Sequence, residues 1–219
     1  MSKFKKIMIA LMVVVLIFVI ATYIIIMPFM TATKGAKIAK YANPQKALLV
    51  IDVQEDFTGT TAKPPLPYKN SEKIISRINE IVSAAEAKKY EIIYIKQEFA
   101  GAAVLISKLF VNGTALKGSP GVEIDKRVKI VSKNIFPKSV GDAFSNPEFE
   151  KYLISNSVDE LFLTGLDAEH CVHLTAKGAL NRGYKVNVLT DALLLRNEGK
   201  WEGLLKLYQE EGLKLISGI

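Results

Sequence analysis

The feature that most limits what this chain can become is a run without a single charge, IMIALMVVVLIFVIATYIIIMPFM, from Ile7 to Met30. In hydrocarbon the backbone finds no water, so such a segment must satisfy its own N–H and C=O groups as a helix. At about 1.5 Å per residue it spans the ~30 Å core of a bilayer. A cleaved signal peptide has an apolar stretch of only ~7–15 residues and ends at a small-residue site. This run is longer, and the chain reads as carrying a retained single-pass anchor. Lys3, Lys5 and Lys6 precede it and Lys34, Lys37 and Lys40 follow, so charge bias barely sets its orientation. The short N-terminal tail with its free amine favours that end inside and the remainder on the extracytoplasmic side. Part of the net charge of +7 lies beside the run, where anionic lipid is the simplest counterpart. The other lysines are scattered, with no basic stripe interleaved by aromatics, which argues against nucleic-acid binding. Asn112-Gly113-Thr114 fits a glycosylation sequon.

At 219 residues the chain has room for one sizeable domain beside the anchor. The expected organisation is a tail and anchor over 1–30, a polar juxtamembrane linker over 31–45, and a globular domain over 46–219. A single cysteine cannot form an internal disulfide, so packing holds that domain together. Short apolar runs alternate with helical patterns. Ala47–Val53 reads as a buried strand ending at an acid. Ser71–Lys89 repeats Ile74, Ile75, Ile78, Ile81 and Val82 at helical spacing. Glu91–Lys96 and Val128–Lys133 read as the second and third strands. Asn146 caps a helix over Pro147–Ser155, since proline suits the first helical position. Glu160–Gly165 is a strand, Cys171–Asn181 a helix stopped at Gly183, Lys185–Asp191 a strand and Trp201–Glu211 a helix, with an edge strand in LKLISGI. Residues 100–121 read as a short helix and a lid-like loop. This alternation predicts an α/β fold: a three-layer α/β/α sandwich around a mostly parallel, doubly wound sheet, preceded by one transmembrane helix.

In such sheets, sites lie beyond the carboxyl ends of the strands. Three places qualify: Asp52, the stretch around Lys133 and Lys138, and the turn from Thr164 to Cys171. Cys171 follows a strand and a loop and opens a helix, whose amides favour a thiolate. As a lone cysteine it is equally at home as a small buried hydrophobe. His170 and His173 are neighbours in sequence, but one precedes the helix and the other points about 200° away around it. Neither is placed to bond the sulfur, and two divergent ligands do not make a zinc site. Asp52 is the better proton acceptor, because partial burial at a strand end raises a carboxyl pKa into the range of a general base. Asp56, in the next loop, reads as a helix-cap or surface-turn acid. Lys133 and Lys138 are both available to stabilise a thiolate, and either also reads as a solvated side chain.

The acid ending LLVIDVQEDF (Leu48–Phe57), a lysine in the middle loop and TGLDAEHCVHLTAKGALNRGYKVNVLTDA together resemble the isochorismatase-like cysteine hydrolase superfamily, which includes nicotinamidases. The resemblance covers about Lys46 to Leu193, with Gly165, Cys171-Val172, Thr175-Ala176, Ala179, Gly183-Tyr184 and Asp191-Ala192 at family spacing. It implies an Asp–Lys–Cys triad on Asp52, Lys138 and Cys171, Lys138 being preferred because it keeps the family spacing to Ala143-Phe144. It implies a cis peptide between Leu166 and Asp167, with the amides of Asp167 and Cys171 forming an oxyanion hole. It also implies hydrolysis of a small amide or related C–N bond through a thioester, a homo-oligomer, and no cofactor beyond these residues. Nicotinamidases carry a metal site with histidines soon after the first-strand acid; Thr58–Asn70 holds none, so no metal and not nicotinamide are expected. Isochorismatases proper lack the cysteine, so Cys171 argues against vinyl-ether hydrolysis. Phe57, Phe99, Phe136 and His170 are the candidate walls of a small-molecule pocket, the phenylalanines reading equally as core. The rival readings are a tethered binding protein that has lost the reaction and a redox thiol, the latter lacking a second cysteine to resolve a disulfide.

Overall fold

The structure is a computed structural model that describes every residue except 1, 2, 64, 65 and 67. The first two residues of the expected tail therefore lie outside the described residues. In chain order the elements are α1 (Lys3–Met30), β1 (Gln45–Ile51), α2 (Glu55–Thr58), α3 (Ser71–Ala87), β2 (Glu91–Gln97), α4 (Ala103–Phe110), β3 (Ile135–Lys138), α5 (Pro147–Ser155), β4 (Val158–Gly165), α6 (His173–Arg182), β5 (Lys185–Leu193), α7 (Trp201–Glu210) and β6 (Lys214–Ile216). By length and composition α1 is able to cross a membrane. Asn146 caps α5 by accepting the N–H of Glu148, with Pro147 at the first helical position. Gly183 closes α6 in the left-handed region at φ 85°, a conformation that favours glycine.

The six strands form one sheet in the order β3-β2-β1-β4-β5-β6, every pair parallel. The chain starts in the middle and winds outward both ways, so β1 and β4 flank the topological switch point. On one face Ile75, Ile78, Ile81 and Val82 of α3 bury against Leu48, Val50, Ile92 and Tyr94. On the other, Phe149 and Leu153 of α5, Ala176 and Ala179 of α6, and Leu204 and Tyr208 of α7 cover Leu49, Ile51, Leu161 and Leu163. Strands buried on both faces explain why β1 and β4 read as continuous apolar runs instead of alternating ones.

One expectation changes. The third strand is not Val128–Lys133 but Ile135–Lys138. The earlier stretch is tied down through side chains: the Tyr94 hydroxyl donates to Lys129 O and accepts from Val131 N, and Ser132 Oγ donates to Ile92 O. The ladder falls to IFPK, where Pro137 is tolerated because β3 is an edge strand. The shift places Lys138 at the strand's last position instead of in a loop beyond it. The polar segment after α1 makes contacts with the domain. Thr33 gives its N–H and hydroxyl to Asp142 Oδ2 at 2.7 Å each. The buried Arg182 guanidinium reaches Thr33 and the Lys34 carbonyl while pairing with Glu150 at 2.7 Å.

Gly165 ends β4 at φ 111°, and a Cβ there would lie 2.1 Å from Ile51 O and 2.8 Å from Ile51 N. Both atoms are backbone of the paired strand, so no side chain can move aside. Gly165→Ala is expected to cost on the order of 3 kcal/mol, combining backbone strain with overpacking. A urea titration should show a lower midpoint at unchanged slope. An unshifted midpoint would refute this account of the β1–β4 approach.

Candidate active site

Three crossings deliver the site. Asp52 is the first residue past β1; its N–H donates to Ile95 O at 2.9 Å and its backbone sits at φ 56°. Left-handed backbone is uncommon for a residue with a side chain, though aspartate tolerates it better than most, and such strain concentrates at functional positions. Lys138 ends β3 and pairs in register with Gln97, which ends β2. Cys171 lies in a π turn, Ala168–Val172, that runs straight into α6; α6 itself starts at His173, two residues later than the sequence pattern suggested. π turns inside helices recur at functional sites.

These residues meet beyond the carboxyl ends of the strands. Lys138 Nζ lies 2.7 Å from Asp52 Oδ2, 3.2 Å from Cys171 Sγ and 2.6 Å from Gln97 Oε1. Asp52 and Lys138 are 1% and 2% exposed, so the ion pair works with little screening by water. Burial drives the Asp52 pKa above the usual carboxylate range, with Lys138 and the thiol opposing. Burial also works to discharge Lys138, but Asp52 and the sulfur outweigh it and hold the ammonium above its ordinary value. The thiol is pushed up to about 12 by burial, against the opposing charge of Lys138. Burial thus works against the thiolate that the start of a helix favours, and the charge of Asp52 beside the sulfur adds to the rise.

Two polar groups that the sequence did not single out complete the cluster. Gln97, 4% exposed, holds Lys138 through Oε1 while its Nε2 has no partner among the described residues. Gln54 is wholly buried. Its Oε1 accepts the Gln97 N–H at 2.7 Å and its Nε2 donates to Gln97 O and Val122 O. The available signal was a polar residue closing an apolar strand, Gln97 in EIIYIKQ as Asp52 in LLVID. Asp52 Oδ1 is likewise buried without a partner among the described residues. A buried donor and a buried acceptor left without partners are costly and call for an explanation.

The other candidates separate. Lys133 is exposed, away from the burial that encloses Lys138. Phe57 and Phe99 bury in the α3 layer, whereas Phe136 packs in the opposite layer between Phe149 and Tyr152. His170 is exposed; His173 Nε2 pairs with Glu211 at 2.5 Å, away from the sulfur. The Leu166–Asp167 peptide is cis. The Asp167 N–H donates to no acceptor among the described residues, while its carboxylate accepts from Glu169 N and Arg196 N. Asp56 is not a surface acid: it is buried, accepting from Ala115 N at 2.7 Å and from the Thr61 hydroxyl.

No group of three or more His, Cys, Asp or Glu able to hold a metal occurs among the described residues. The acids Glu55, Asp56 and Asp125 are each engaged by other groups. Glu55 accepts from Thr60 and the Lys126 N–H, Asp56 is engaged as above, and Asp125 is taken by Thr58 and Arg127.

The isochorismatase domain model matches residues 46–218. Nicotinamidase of Escherichia coli (strain K12) is 25% identical over 178 residues, covering 68% of this chain and 82% of that protein. The solved structure of a cysteine hydrolase from Pseudomonas syringae pv. phaseolicola superposes with a TM-score of 0.70 at 20% identity, over 84% of this chain and 94% of that one. N-carbamoylsarcosine amidase from Thermoplasma acidophilum gives 0.66 at 23% identity, over 79% and 96%. At these identities the structures establish a shared fold.

Proposed function

Since the chain belongs to the isochorismatase family, we propose that it is a cysteine hydrolase that cleaves a small amide or related C–N bond, held at a membrane by α1 with its domain on the extracytoplasmic side. The observation that carries this reading is Lys138 Nζ between Asp52 Oδ2 and Cys171 Sγ, at 2.7 Å and 3.2 Å. Relatives named as a nicotinamidase and an amidase support amide cleavage as the reaction class.

Burial favours the protonated thiol, and the reaction begins with transfer of its proton. Asp52, whose Oδ1 is unpaired, takes the proton as the sulfur attacks the amide carbon. Lys138 neutralises the charge that moves from carboxylate to sulfur. The carbonyl oxygen becomes an oxyanion, stabilised by the N–H groups of Asp167 and Cys171; one such donor is worth about 3 kcal/mol. Asp52 then gives its proton to the leaving nitrogen, the C–N bond breaks and a thioester remains. Water loses a proton to Asp52 and attacks the thioester; the C–S bond breaks and the proton returns to sulfur. Every proton taken is returned, and no redox partner is needed.

The test is to incubate the full chain in detergent with a panel of small amides, quench in acid and measure intact mass. A covalent acyl adduct on Cys171, cleared by hydroxylamine, is the expected result. Absence of any adduct or product across a broad panel would instead support a tethered binding protein.

The proton path also sets the pH profile. Catalysis needs Asp52 ionised, and its pKa is raised by burial. The acid limb of kcat/KM should therefore fall at a pH above the ordinary aspartate value, with activity lost as pH drops. A profile flat down to the ordinary aspartate range would exclude Asp52 as the base.

A further inference from the structure

We propose that α4 is a second membrane contact, with its outer face lying in the headgroup layer of the bilayer that α1 crosses. The inference rests on reading α1 as an anchor. α4 is built inside out for a helix facing water. Ser107 is fully buried and donates to Thr114 O at 2.6 Å, and Ile106 packs on the core. Leu105 and Leu109, four residues apart on one face, are 57% and 67% exposed. Two neighbouring leucines in water forgo a favourable transfer that an acyl layer supplies.

Position and charge say what covers them. Phe29, in the last turn of α1, stacks on Phe99 with ring centroids 6.2 Å apart. Ala103 begins α4 four residues beyond Phe99, so the helix starts within about 14 Å of the residue on which the anchor's Phe29 stacks. Ala103 and Ile106 pack against the same core cluster as Phe29. No acid occurs from Ala100 to Val122, while Lys108 and Lys117 are exposed. No acid precedes Asp52 in the chain either, and Lys34, Lys37 and Lys40 follow the anchor. Leucines among lysines with no carboxylate match acyl chains beneath anionic headgroups. The contact also reaches the site: Gln97, which grips Lys138, stands two residues before Phe99, so one strand end connects the cluster to the bilayer surface.

The experiment uses the full chain in a Cys171→Ala background, which removes its only cysteine. Leu109→Cys, Ile17→Cys and Lys206→Cys variants carry a polarity-sensitive dye. Each is placed in phosphatidylcholine–phosphatidylglycerol vesicles with and without brominated acyl chains. The dye at 109 should shift to the blue and be strongly quenched by bromine, like that at 17, while the dye at 206 stays unaffected. Quenching at 17 with none at 109 would overturn the docking and leave the anchor standing. No quenching at either would overturn both. A blue shift at 109 without quenching would put a second copy of the chain on this face, which also overturns the proposal.

Discussion

Cys171→Ala is expected to remove turnover, by on the order of 10⁴-fold or more, while the domain stays folded. A nucleophile knock-out leaves only the binding and oxyanion contributions, which explains the size of the loss. Little holds the fold at this position: the π turn is closed through backbone groups, with Val172 N donating to Asp167 O at 3.1 Å. The sulfur's removal frees one Lys138 contact but leaves the 2.7 Å pair with Asp52 and the bond to Gln97. The free energy of unfolding should therefore change by no more than about 1 kcal/mol. Rates, midpoints and adduct masses for both proteins would be measured side by side. Retained turnover would mean that sulfur is a bystander, and the proposed chemistry would have to be abandoned.

Lys138→Met should damage stability and activity together. It removes the cation from a buried carboxylate, and breaking a buried pair from one side costs about 3–5 kcal/mol. Asp52 then loses the groups that lower its pKa most, so burial drives the carboxyl further up. At neutral pH the base is protonated more of the time and cannot accept the thiol proton, and kcat should fall steeply. A folded-state pKa raised above the unfolded value favours folding at low pH, an advantage lost as pH rises through the folded value. The stability deficit of this variant should accordingly be largest near neutrality and shrink as the solution is acidified toward the ordinary aspartate pKa. Urea midpoints of both proteins across that range would show it. A deficit that is independent of pH would mean that the methionine simply packs badly, and that Asp52 carries no buried charge.

The local periodicities already contained the architecture. Apolar runs too long for one-sided burial mean strands covered on both faces, and the helical repeat of Ile74, Ile75, Ile78, Ile81 and Val82 means a helix lying against them. The charge-free run before them can only be a helix if it meets lipid. The ends of these patterns marked Asp52, and a loop-then-helix signal marked Cys171. What the pattern left open were matters of partnership between distant segments. Val128–Lys133 is as strand-like as Ile135–Lys138, and only the ladder beside β2 chose between them, carrying Lys138 to the thiol. Asp56 looked like any turn acid until the chain around Ala115 closed over it. Gln54 and Gln97 became a buried bracket because β2 and the loop at Val122 arrive from opposite sides.

The protonation of the site belongs to the same class. A helix amide beside a cysteine is visible in one stretch of residues and argues for a thiolate. The burial that three separate segments bring to the sulfur is not visible there, and it pushes the thiol the other way, up to about 12. The residues alone thus determined which side chains could react and which elements carry them. Their distances, burial and charge states come from tertiary structure, because electrostatic energy depends on separation in space and on access to water, and neither follows from spacing along the chain.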